Sequence, residues 1–219
     1  MQVHILRGST EEYEIAKCYG LGEECHEKFN EDIDDPNSVF RAICDLFNYL
    51  PLAALIENKI FCVHSGIGEN VKSLDDIMSI KKPYSVYDSQ IVLDLLWSVP
   101  EELKYEYTGN NFTTNVRKRF FNENLIREFM KNNKIEYIIR SHDVLEHGFE
   151  KMYDGRVFSV YSALNYCGFY NNSAGIISIN KTSKIQPKIL TSEENFSVWN
   201  YSENNVKEFP PSPKVSIKK

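Results

Sequence analysis

One order of signals occurs twice along the chain and restricts its fold more than any other feature. Val39 to Tyr49 carries Phe40, Ile43, Cys44 and Phe47 at i, i+3, i+4 and i+7, and short apolar runs follow it in PLAALIENKIFCVHSG. Asn115 to Lys131 reads as a second helix with Phe120, Phe121, Ile126 and Phe129, and IEYIIRSHD follows it as a strand running into a polar turn. Helix followed by strand, repeated, implies an α/β domain in which helices cover a sheet.

The remaining segments fill in that scheme. QVHIL, at the start of the chain, predicts a short strand, and the following LRGSTE predicts a glycine turn. Glu11 to Phe29 sets Ile15, Cys18, Tyr19 and Cys25 at helical spacing, with Gly20 and Gly22 weakening its middle. Leu52 to Ile56 and Ile60 to Val63, separated by Glu57-Asn58-Lys59, read as a tight hairpin. SLDDIM predicts a capped short helix, and Lys81 to Leu103 a long ordered loop. RVFSVYSALNYC and AGIISIN are strand signals joined by the loop GFYNNS. Residues 1–190 are thus expected to form the domain, and 191–219, polar and rich in proline, a flexible tail.

At 219 residues and 42% hydrophobic the chain can bury a full core. Its formal charge of −6, without a long basic cluster, argues against nucleic acid or an anionic membrane as the main partner. Five cysteines, an odd number with no C-x-x-C pair, argue against a disulfide framework and a thiolate zinc site, and they suit a reducing cytoplasmic or nuclear setting. No apolar run of about 18 residues and no signal-peptide core is present in the sequence.

His64 in IFCVHSG and His142 in YIIRSHD each stand just after an apolar strand. A strand end fixes the backbone and an open turn leaves room for an ion, so a neutral imidazole there is well placed to bind metal. Alone, such a histidine is more often a hydrogen-bonded turn residue. Cys167 has no activating base in its sequence neighbourhood and reads as an inert loop thiol, while Asp94, Trp97, Arg140 and Glu146 read as packing and loop-fixing residues.

Read in order, LRGSTE, DLFNYLPLAALIENKIFCVHSG, DLLWSVP, IIRSHDVLEHGFE and SALNYCGFYNNSAG resemble the serine/threonine protein phosphatases of the calcineurin and phosphatase-2A type. The resemblance spans most of Val3 to Leu190 and implies a fold of two packed mixed sheets flanked by helices, with two divalent metals of the manganese, iron or zinc type. In that family the metals bridge a water that attacks the phosphorus of a phosphoserine or phosphothreonine ester. His64 and His142 match family metal ligands, and Asn165 and Tyr166 match its substrate-side segment, with Leu164 in place of a proline.

The departures fall on the chemistry. Ser9 stands where the family has a metal-binding asparagine, and Thr10 where it has the histidine that protonates the leaving group. Thr108 occupies the place of a phosphate-binding arginine, Val99 that of an aspartate and Ser65 that of a glycine. The family's G-D-x-H-G and G-D-x-x-D-R-G motifs, which supply its aspartate ligands and a second phosphate arginine, would lie upstream of Met1. Without their strands a sheet edge and an apolar face are expected to be exposed. The resemblance therefore implies at most one weakly bound ion and an impaired or inactive phosphatase, either a decayed or truncated product or a deliberate short one. The alternatives are an active phosphatase completed by upstream residues, and a binding module for phosphoproteins or phosphatase regulatory subunits.

Overall fold

Ile60–Val63, Tyr137–Arg140 and Val157–Val160 are short runs rich in branched and aromatic residues, with every side chain buried or half-buried. That is the composition of strands covered on both faces. The computed structural model, which describes residues 3–87, 89–103 and 119–191, pairs these three runs in parallel as β2, β5 and β7. Ala53–Ile56, β1, adds antiparallel to β2, and Phe149–Met152, β6, adds antiparallel to β7. The result is a mixed five-stranded sheet in the order β1-β2-β5-β7-β6.

Two smaller sheets accompany it. Val99–Pro100 pairs in parallel with Phe120–Phe121 as β3 and β4, and Ala174–Ile179 pairs antiparallel with Ile185–Leu190 as β8 and β9. The last hairpin lies against the β6–β7 edge, where Gly175 N–H donates to Tyr161 C=O at 2.7 Å. Among the described residues six helices pack around the sheets: α1 Tyr13–Cys18, α2 Leu21–Phe29, α3 Val39–Phe47, α4 Leu74–Met78, α5 Gln90–Trp97 and α6 Glu123–Asn133.

Local chemistry explains the boundaries. Ser38, Ser73, Ser89 and Asn122 each cap a helix by accepting a backbone N–H, and Ser73 with Asp76 completes a reciprocal capping box at α4. Between β1 and β2 the tight turn puts Glu57 and Asn58 in the left-handed region, at φ 50° and 55°, which matches the twist of a two-stranded ribbon. The main core joins Phe61, Ile67, Leu95, Leu96, Phe121, Ile126 and Ile138 between the sheet, α5 and α6. Each such side chain stabilises the fold by about 1.5–3 kcal/mol through burial. A separate cluster of Ala16, Cys25, Phe40 and Cys44 ties α1, α2 and α3 together.

Several expectations are corrected here. QVHIL forms no strand over its described residues: Val3 and Ile5 are 71% and 64% exposed, and the segment is tied down at Arg7, whose N–H donates to Pro51 C=O at 2.8 Å. The single helix expected over Glu11 to Phe29 is two, because Gly20 adopts φ 100° and redirects the chain. Lys81 to Leu103 is not a loop throughout but holds α5, β3 and a 3₁₀ turn at Glu101–Leu103. Helix α5 buries Val92 through Trp97 without interruption, so it has no polar face to mark it as helical. Phe120 and Phe121 lie in a strand, and the second helix begins only at Glu123, after its Asn122 cap; the expected start at Asn115 lies outside the described residues, as does 192–219.

The cysteines offer a simple check on this packing. Cys18 and Cys167 are exposed, whereas Cys25 and Cys44 are buried, and burial pushes the Cys44 thiol up to about 11. Iodoacetamide at mildly alkaline pH is expected to modify Cys18 and Cys167 first and to reach Cys25 and Cys44 only on unfolding, as read by mass spectrometry of peptides. Early labelling of Cys44 would contradict the helix packing of this region.

Candidate active site

Parallel neighbours place the two histidines. His64 follows β2 and His142 follows β5, the strand paired next to it, and Ser141 N–H donates to His64 C=O at 2.9 Å just beyond the strand ends. The His64 Nε2 to His142 Nδ1 distance is 3.1 Å, and the rings meet edge to face at 5.1 Å between centroids. His142 holds φ 76°, a left-handed conformation that a non-glycine residue keeps only where its surroundings enforce it. Its ring also packs edge-on against Trp97, centroids 5.7 Å apart.

Ser9 completes the cluster. Its Oγ lies 3.2 Å from His64 Nε2 and 3.4 Å from His142 Nδ1, and the residue is buried. The turn that carries it is held by Arg7, which is 1% exposed: Nε donates to Glu11 C=O at 2.9 Å, one terminal nitrogen to Tyr84 C=O at 3.0 Å, and the other to Asn48 Oδ1 at 3.2 Å. Gly8 sits close to the cluster: a Cβ there would press on the mobile end of Glu11, 2.2 Å from Oε2, and lie 3.3 Å from His64 Cε1. Neither Arg7 nor Gly8 stands out in the sequence as a site residue; the arginine-glycine step ahead of Ser9 is the signal that could have found them.

The other expected positions divide. Thr10 is exposed and its hydroxyl donates to Glu11 Oε1 at 3.0 Å, so it is not part of the histidine cluster. Asn165 and Tyr166 belong to the turn between β7 and β8: Asn165 accepts from Asn171 N–H at 3.2 Å, Tyr166 N–H donates to Asn172 Oδ1 at 2.9 Å, and the Tyr166 ring packs on Tyr161. Leu164 is exposed beside them. Ser65 is buried, with its hydroxyl donating to Ser98 C=O, and Val99 is buried in β3. Thr108 lies outside the described residues.

Structural residues support the cluster from behind. Arg140 and Asp143, both buried, form an ion pair at 2.6 Å, and Arg140 also donates to Ser65 C=O and to Ser159 Oγ. Asp94, also buried, accepts from Asn70 N–H at 2.8 Å, from its side-chain amide at 2.9 Å, and from Arg119. Desolvation, with the nearby His142 and the charge of Arg140, pushes the His64 imidazole down to about 3, so its ring is neutral near pH 7 and free to act as a donor to a metal.

The donor set can be tested against the metals that the resemblance implies. Two imidazole nitrogens bound side by side at about 2.1 Å to one ion would stand about 3.0 Å apart in octahedral and about 3.4 Å apart in tetrahedral geometry, so the 3.1 Å separation, which also suits an N–H···N hydrogen bond, is compatible with one ion. Two neighbouring divalent cations need anionic oxygens to offset their repulsion, whereas Ser9, His64 and His142 are neutral donors. Among the described residues no three His, Cys, Asp or Glu side chains are grouped to hold a metal.

Comparison with known proteins places this geometry. A family model described as calcineurin-like phosphoesterase matches residues 1–146. The chain is 36% identical over 195 residues to serine/threonine-protein phosphatase BSL2 of Arabidopsis thaliana, an alignment covering 86% of this chain and 18% of that protein. It also superposes, with a TM-score of 0.72 and 26% identity, on a protein serine/threonine phosphatase from Saccharomyces cerevisiae with similarity to human phosphatase PP5, covering 88% of this chain and 61% of that one. The chain thus spans under a fifth of the curated relative and about three fifths of the solved one. With its mixed sheet and with histidines at the ends of two parallel neighbours, the chain belongs to the calcineurin-like phosphoesterases and is similar, within them, to serine/threonine protein phosphatases.

Proposed function

We propose that residues 1–190 form a serine/threonine-phosphatase-type domain whose hydrolysis of phosphoserine and phosphothreonine esters is strongly impaired, and that the chain acts chiefly as a binding module for a phosphoprotein or a phosphatase regulatory subunit. The observation that carries this reading is the hydroxyl of Ser9 between His64 Nε2 and His142 Nδ1, a pair that no third His, Cys, Asp or Glu joins as a metal-holding group among the described residues. A bound divalent ion would supply Lewis acidity toward the phosphoryl oxygens and a more acidic water. Of the chain's own groups, His64 and His142 would hold one such ion weakly, with Ser9 as a third, neutral donor. Thr10 supports the reading further, because an exposed threonine hydroxyl cannot protonate a leaving alkoxide near neutral pH.

Active hydrolysis is the second reading, favoured by the 3.1 Å approach of the two imidazoles. A manganese-loaded phosphate-release assay on a phosphoserine peptide separates the two. The full chain is expected to release no more phosphate than His64→Ala does, and to bind no more than one manganese ion per chain, lost in that variant. Turnover that His64→Ala abolishes would establish the second reading instead. The free cysteines support a reducing cytoplasmic or nuclear setting, and among the described residues no helix is long and apolar enough to cross a membrane.

A further inference from the structure

At the far end of β5 from His142, the C-terminus of α6 and the turn before β7 enclose a groove of about 450 Å³. Its rim carries Arg127, Lys131, Lys134 and Arg156, and its floor is formed by the buried Met130 and Ile135. The single carboxylate in the lining, Glu136, is engaged by Lys59 at 2.7 Å. Arg127 is paired with Glu123 and with Asp154. Lys131, Lys134 and Arg156 are exposed, and no carboxylate pairs with them among the described residues. Three uncompensated cations around one apolar floor stand out on a chain of net charge −6.

A helix C-terminus ordinarily repels anions through its free carbonyls. Part of that end is capped: Met130 C=O accepts from Lys134 N–H and, at 2.9 Å, from Ile135 N–H, while Phe129 C=O accepts from the Asn133 side-chain amide at 2.8 Å. The full charges of Lys131, Lys134 and Arg156 outweigh the fractional negative charge of the helix end. With about 3.3 Å per strand residue, the groove lies on the order of 15 Å from the histidine cluster, so it is a separate site.

We propose that this groove docks a short peptide segment carrying phosphorylated and apolar side chains. Floor and rim together specify the class. A bare inorganic anion gains nothing from Met130 and Ile135, whereas a peptide places an apolar side chain on them and its phosphates on the cations. The volume lies in the range of sites that take small ligands and peptide anchors. Extended polyanions such as a nucleic acid strand or an acidic bilayer meet the negative remainder of the surface instead.

The test is fluorescence polarisation with a labelled peptide of alternating phosphoserine and leucine, using the full chain at low ionic strength. Binding is expected to weaken about tenfold in Lys131→Glu/Lys134→Glu/Arg156→Glu, an exposed triple change, and to weaken with added salt. It should be unchanged in His64→Ala, which keeps this result distinct from the failure or success of the proposed function. Absence of binding, equal affinity for the serine-leucine peptide, equal affinity in the charge-reversed chain, or loss in His64→Ala would each overturn the proposal. Displacement by inorganic pyrophosphate as effective as by unlabelled peptide would overturn it as well, by showing a site for bare anions.

Discussion

Asp143→Ala is expected to lower the free energy of unfolding by about 3–5 kcal/mol, read as a shift of the midpoint in urea denaturation. Arg140 is 2% exposed and Asp143 6% exposed, and they meet at 2.6 Å. Removing the carboxylate leaves a guanidinium charge out of water, with Ser65 C=O, Ser159 Oγ and the face of Phe121 as contacts and the Glu150 carboxyl as a more distant electrostatic partner. The loss comes from the stranded charge rather than from the worth of the pair, since exchange of both members for apolar groups is often neutral. Arg140→Met/Asp143→Leu should therefore unfold at a higher denaturant concentration than Asp143→Ala alone. A single-variant loss below about 1 kcal/mol would mean that water reaches the pair and that the burial seen here does not hold in solution.

Gly175→Ala is expected to cost about 3 kcal/mol, at the upper end for forcing extra volume into a packed interior. A Cβ there would stand 1.9 Å from Gly148 C=O and 2.7 Å from its carbon, both backbone atoms with no rotamer to yield. The crossing is bonded on both sides, with Gly175 N–H on Tyr161 C=O at 2.7 Å and Tyr161 N–H on Gly148 C=O at 2.9 Å, so relief means pulling the β8–β9 hairpin off the main sheet. Gly168→Ala is the control. Its φ of 74° is positive, unlike that of Gly175, but it has open space around the position, so alanine there should cost only the left-handed penalty of about 1–2 kcal/mol with no steric clash. Thermal unfolding of the two variants side by side gives the comparison.

These sites also show which parts of the structure the sequence discloses. Helix α3 was readable because one face meets the core and the other meets water, leaving Phe40, Ile43, Cys44 and Phe47 in a stripe. Helix α5 was not, because core surrounds it on every side and no period survives. Strand β6 escaped for the opposite reason: its Glu150 and Lys151 lie on an edge strand, where charge is tolerated and the apolar signal is diluted. Strand β9 carries Pro187, a residue that breaks a strand pattern in sequence, yet an edge position accommodates it.

The candidate site was legible in a narrower sense. Each histidine could be recognised by its place after an apolar run, but nothing in the spacing of positions 9, 64 and 142 states that they converge. Sheet order decides that, and strand pairing between distant segments is a tertiary outcome. The resemblance to the phosphatases provided the set in advance. It also brought in Thr10, which hydrogen-bonds to Glu11, and Asn165 and Tyr166, which are bonded into their own turn.

The parallel pairing of β2 with β5 has an evolutionary corollary. Since neighbouring parallel strand ends set the gap between the imidazoles, reactive groups can be exchanged by point substitution while the framework that aims them persists. A lineage built on such a platform can drift out of catalysis, and back toward it, without ever having to invent a new architecture.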